Sequence, residues 1–108
     1  MRKDVGVFLD KFIKAFETLN IDNVDSLILF GSQARGTALV SSDIDIAVVM
    51  TEPLTHRQRG ELICLPDEVD DIYDVDLYFT TKVAVDTGDG IFNTNKYIRE
   101  EGLKLWPL

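Results

Sequence analysis

Residues 42–49 read Ser-Asp-Ile-Asp-Ile-Ala-Val-Val, an apolar, strand-forming stretch with aspartates at two alternate positions, Asp43 and Asp45. Side chains on a strand alternate with period two, so both carboxylates point to one face while Ile44, Ile46 and Val48 point to the other. An unpaired carboxylate buried in an apolar layer is costly, so a fold that accepts this strand must leave its acidic face open to water or to a cation. Just upstream, a second apolar run, residues 26–30, breaks at Gly31-Ser32-Gln33-Ala34-Arg35-Gly36. Two same-face carboxylates form a chelate for a hard cation such as Mg²⁺, and a glycine-flanked turn beside them can admit phosphates. Together the two segments predict metal-assisted transfer of a nucleotide.

The remaining segments supply the elements of a layered domain. Val5, Phe8, Leu9, Phe12, Ile13, Phe16 and Leu19 recur at three- and four-residue spacing, separated by Asp10, Lys11, Lys14 and Glu17. That spacing predicts an amphipathic helix of about 15 residues. Asn20-Ile21-Asp22-Asn23 ends it, and residues 26–30 follow as a short buried strand. Residues 33–36 make a helical turn, and residues 37–42 a loop into the second strand, residues 43–50. A helix over residues 56–65 starts from Thr55 as its N-cap. Pro66 and the acidic residues 67–71 read as a solvated loop, and residues 72–79 as a third strand on which Asp74, Asp76 and Tyr78 share a face. A turn-rich segment, residues 86–90, leads to a last helix over residues 93–101 with Gly102 as its left-handed cap, and residues 103–106 add an edge strand. The expected architecture is α/β (α+β), a small mixed twisted sheet flanked by helices, in one domain spanning residues 1–108.

The charge distribution narrows the function classes. The net charge is −8 at pH 7, and residues 60–90 hold nine acids against one base, Lys82. The rest of the chain is balanced, so no basic face is offered to a long nucleic acid, and a protein or small-molecule acceptor fits better. No apolar run approaches the roughly 20 residues that span a bilayer, and charges interrupt any signal-peptide core. The expectation is a cytoplasmic protein away from membranes. The lone Cys64, read as a small core residue, agrees with a reducing compartment. A domain of 108 residues has no room for a separate substrate domain, so a larger acceptor surface is expected from a partner.

Asp76, on the third expected strand, can join Asp43 and Asp45. Transfer through two metals needs carboxylates that bridge ions roughly 3.5–4 Å apart, a geometry that neighbouring strands can supply. Gly31 lets the backbone approach a phosphate with no Cβ in the way, the Ser32 hydroxyl and nearby amides can hold triphosphate oxygens, and Arg35 can add a bidentate contact. Each part alone has a plainer reading: the acids as a solvated strand face, the turn as a simple strand-to-helix connection. A Walker A loop is excluded, because Thr37 stands where that motif requires lysine. His56, Arg57 and Arg59 form a basic cluster with two readings, a group near the nucleotide or, the preferred one, a solvated helix end, and His56 has no metal-ligand spacing with Cys64. Residues 86–90 lack the closing acid of a calcium loop.

The string GSQARG, then SDIDIAVV from Ser42, then VDLYF with Asp76, resembles the minimal nucleotidyltransferase branch of the DNA polymerase β-type nucleotidyltransferase superfamily. The resemblance spans nearly the whole chain, including the opening helix and the closing Ile98-Arg99-Glu100-Glu101-Gly102. It implies that Gly31 and Ser32 hold the triphosphate of ATP or another NTP and that Asp43 and Asp45 bind both of two Mg²⁺ ions. It further implies that Asp76 binds the catalytic ion and helps deprotonate an acceptor hydroxyl. A helical HEPN-domain partner is also implied, with this chain as the antitoxin of a toxin–antitoxin pair; some members transfer AMP to a tyrosine of the toxin. Two departures remove positive charge beside the phosphates: Gln33 stands where a basic residue is frequent, and Leu39-Val40 replace a frequent Arg-Pro or Lys-Pro. Two other classes stand beside this one. One is an antitoxin that neutralises its partner by binding alone; the other is an antibiotic-modifying nucleotidyltransferase, whose acceptor site a homo-oligomer would have to complete.

Overall fold

The phenylalanine stripe closes one face of the sheet. Val5, Phe8, Leu9, Phe12 and Phe16 are all buried along α1 (Lys3–Thr18), which packs with α3 (His56–Val69) over one face of a four-stranded sheet. The computed structural model describes residues 3–38, 43–88, 90 and 93–108. The strands are β1 (Val24–Phe30), β2 (Ile44–Met50), β3 (Val75–Thr81) and β4 (Leu103–Trp106), in the spatial order β3-β2-β1-β4. The pairs β1·β2 and β1·β4 are antiparallel and β2·β3 is parallel, so the sheet is mixed, as expected. The helical turn α2 (Ser32–Arg35) follows β1, while α4 (Lys82–Thr87) and α5 (Thr94–Glu101) follow β3.

Both faces of β2 are covered, each by its own alternating set. Ile44, Ile46 and Val48 join the α1/α3 core, whereas Ala47 and Val49 meet Val85 of α4 and Ile98 of α5 on the opposite face. Thr80 donates a 2.7 Å hydrogen bond to the buried Asn95, fastening α5 to β3. The acidic face of β2 is therefore roofed by helices over its second half and open only near its start.

Several expectations are corrected. The helix from His56 does not stop at residue 65 but runs through Pro66 to Val69. A proline in a helix interior forfeits a hydrogen bond and costs about 3 kcal/mol. Leu62, Leu65 and Pro66 are buried, with Val69 packed beside them, so apolar burial offsets that loss. The Thr55 cap holds, and it closes a capping box with Gln58. Cys64 is exposed, because the inward positions of α3 are 62, 65 and 66. The third strand begins at Val75, so Asp74 precedes it, its carbonyl accepting from the Ile44 amide at 2.9 Å. Helix α4 has no counterpart in the sequence reading; Thr81 caps its start and Gly88, in the left-handed conformation, its end.

Gly102 is not left-handed: its φ is −68°. It is glycine for lack of space, since a Cβ there would collide with Ile28 Cγ2 and the Ile98 carbonyl oxygen. Gly102→Ala should therefore lower stability by about 1–3 kcal/mol in urea titration, the usual effect of overpacking.

Candidate active site

The site grows from the register of three strands. Asp45 lies opposite Phe30 of β1 in the antiparallel pair and opposite Asp76 of β3 in the parallel pair. Directly opposed residues share a face, so Phe30, Asp45 and Asp76 form one row across the sheet. Tyr78, two positions beyond Asp76, packs its ring against Phe30 at 6.2 Å over the small Ala47 and closes the floor behind the carboxylates. Asp43 is exposed and stands one residue ahead of β2.

The turn after β1 is shaped around Asp45. Gly31 has φ 75° and ψ −156°, a conformation essentially confined to glycine, and a Cβ there would strike Asp45 Oδ2. Ser32 opens α2, and Gly36 closes it in the left-handed conformation with its amide on the Ser32 carbonyl. Arg35 ends α2 with its guanidinium 3.4 Å from Glu101 of α5. All six candidate residues, Gly31, Ser32, Arg35, Asp43, Asp45 and Asp76, thus lie around the β1–α2 turn and the starts of β2 and β3.

The surroundings of Asp45 disfavour its ionised form. Burial raises the Asp45 carboxyl pKa above its ordinary 3.8, the charges of Asp76 and Asp43 raise it further, and Arg35 pulls it partly back. None of the ion pairs among the described residues engages the three aspartates. The donor set is all hard oxygen, which fits Mg²⁺. Among the described residues no three acidic, histidine or cysteine side chains form a ready-made metal cage.

Gln33 is buried, and its Oε1 finds no partner among the described residues, so its side chain lies inside the fold. Leu39, Val40 and Ser42 lie outside the described residues. The cluster His56, Arg57 and Arg59 lies at the far ends of β2 and β3, with His56 and Arg59 beside a groove of about 320 Å³ lined also by Met50 and Thr81. Arg57 pairs with Glu61, and Arg59 stacks over the Phe79 ring at 4.2 Å. Sequence reasoning placed Tyr78 on the face of Asp76 by the period-two alternation, and missed Glu101 as a neighbour of the site, for which the sequence held no local signal.

Residues 9–104 match the family model described as a nucleotidyltransferase domain. Over 67 residues, 62% of this chain and 68% of the relative, the sequence is 31% identical to "Putative protein adenylyltransferase MJ0141" of Methanocaldococcus jannaschii. A chain from the crystal structure of a toxin–antitoxin with AMP-PNP superposes with a TM-score of 0.64 at 31% identity, over 93% of this chain and 73% of that one. A chain from the complex of a tri-AMPylated Shewanella oneidensis HEPN toxin with its MNT antitoxin gives 0.54 at 26% identity, over 95% and 72%.

Proposed function

Because the chain belongs to the nucleotidyltransferase domain family, we propose that it moves AMP from ATP to a hydroxyl of a protein partner. In this reading it is the antitoxin of a HEPN/MNT pair, a single cytoplasmic domain whose working carboxylates are Asp43, Asp45 and Asp76. The observation that carries the reading is the facing pair Asp45 and Asp76 beside a turn whose Gly31 is bare on the side of Asp45. The likeness to a protein adenylyltransferase and to toxin–antitoxin complexes, one holding an AMPylated HEPN toxin, supports the nucleotide and the class of partner. No helix of the described residues is long and apolar enough to cross a membrane.

The chemistry follows from the placement of the groups. The Ser32 hydroxyl and the turn amides receive triphosphate oxygens, and Arg35 offers its planar fork to a second pair. Asp43, Asp45 and Asp76 would hold two Mg²⁺ ions, which when bound neutralise the charge building on the phosphoryl oxygens. The acceptor oxygen attacks the α-phosphorus in line and forms a new P–O bond. The bond from that phosphorus to the α,β-bridging oxygen breaks, and pyrophosphate leaves. The proton of the acceptor hydroxyl passes to a carboxylate oxygen of Asp76, exposed on its edge strand.

The test is a labelling assay with α-labelled ATP, Mg²⁺ and a co-expressed HEPN partner. Label on the partner, lost in the Asp43→Asn, Asp45→Asn double variant with its circular dichroism unchanged, is the expected result. A complex that forms without label on the partner would establish neutralisation by binding alone. Label on an added antibiotic instead would establish the small-molecule enzyme.

A further inference from the structure

Arg35 and Glu101 are 66 positions apart in the chain, yet their side chains meet at 3.4 Å with 47% and 40% of their surfaces exposed. A pair this exposed adds little to stability. Glu101 is also poorly placed for its own helix, since the C-terminal end of a helix dipole disfavours a carboxylate. Helix stability therefore does not account for a glutamate here, whereas its partner is one of the groups proposed to meet phosphate.

The fold holds Glu101 firmly. Gly102, next in the chain, packs with no room for a Cβ against Ile28 of β1 and the Ile98 carbonyl, pinning the end of α5 to the strand that runs into Gly31. Arg99 donates to the Asp86 carbonyl at 3.0 Å and ties α5 to α4 as well. A long arginine side chain left alone samples many rotamers, and ordering it on a ligand costs conformational entropy. The charge of Arg35 is felt at Asp45, so an untethered guanidinium would be drawn toward the carboxylate row and would compete there with a cation.

We propose that Glu101 is a positioning residue for Arg35, holding the guanidinium beside the Gly31–Ser32 turn and off the aspartates so that it meets incoming phosphates already ordered. The inference rests on the nucleotide-binding reading above. The experiment is a double-mutant cycle on the affinity for Mg·ATP, measured by calorimetry for wild type, Glu101→Gln, Glu101→Asp, Arg35→Met and Arg35→Met with Glu101→Gln, with melting temperatures recorded alongside. Glu101→Gln should raise Kd about fivefold, the factor that a pair of about 1 kcal/mol provides. Glu101→Asp keeps the charge but loses the reach and should behave like Gln. In the Arg35→Met background Glu101→Gln should change nothing further, and every melting temperature should stay near that of wild type. The inference is overturned if Glu101→Gln binds as tightly as wild type or more tightly, if Glu101→Asp restores wild-type binding, or if the two single effects add. A wild type that binds no Mg·ATP overturns the nucleotide reading along with it; failure of the variants alone leaves that reading standing.

Discussion

Asp45→Asn is expected to raise the melting temperature of the ligand-free protein while reducing nucleotide transfer by on the order of 10²–10³-fold, the scale of removing one preorganised charge contact from a phosphoryl-transfer site. The asparagine is nearly isosteric, so packing against Gly31 and Phe30 is kept while the repulsion toward Asp76 and Asp43 disappears. The sign follows from linkage. A carboxyl whose pKa is raised on folding binds its proton more tightly in the native state. Its favourable contribution is complete below the unfolded value, near 3.8, and is lost as pH rises through the folded value. At pH 7 the ionised Asp45 therefore opposes folding. The advantage of Asp45→Asn should be present at neutral pH and should vanish once the solution is more acidic than the ordinary aspartate range. Thermal melts of both proteins across that range, with and without Mg²⁺, check this; Mg²⁺ should raise the wild-type melting temperature and leave the variant unmoved. Equal melting temperatures at every pH would remove the argument that the carboxylate row is held under electrostatic strain.

Gly31→Ala acts on the same contact from the other side. The backbone at Gly31, φ 75° and ψ −156°, costs a residue with a Cβ on the order of 1–3 kcal/mol. For a chain of this size each kcal/mol lowers the melting temperature by about 4–8 °C. The added methyl also occupies the position of Asp45 Oδ2, so the carboxylate must swing away from the row it shares with Asp76. Transfer should fall to background, and adding Asp45→Asn should not restore it, because the methyl still fills the space beside the turn. Stability is read by urea titration and transfer by the labelling assay. An alanine variant with full activity would show that this close approach has no part in the chemistry.

How much of this was legible in the sequence depended on whether the signal was local. The period-two alternation in residues 43–49 assigned Ile44, Ile46 and Val48 to one face and Asp45 and Ala47 to the other, and the structure keeps that division. The phenylalanine stripe marked α1 for the same reason. Local signals misled where tertiary packing overrode them. Pro66 reads as a helix stop, but its buried ring and the neighbouring Val69 carry the helix onward. Cys64 reads as core by residue type, yet the phase of α3 turns it outward. Gly102 reads as a left-handed cap, but Ile28, distant in sequence, is the reason for the glycine. The pairing of Arg35 with Glu101 had no local signal at all.

The parallel pairing of β2 with β3 bears on the order of assembly. Asp45 and Asp76 come into register across the whole excursion through α3, a contact of higher sequence separation than those between β1 and β2. Contacts of that kind form late, because loop closure must precede them. In native-state hydrogen exchange, the amides bridging β2 and β3 should open at lower free energy than those bridging β1 and β2.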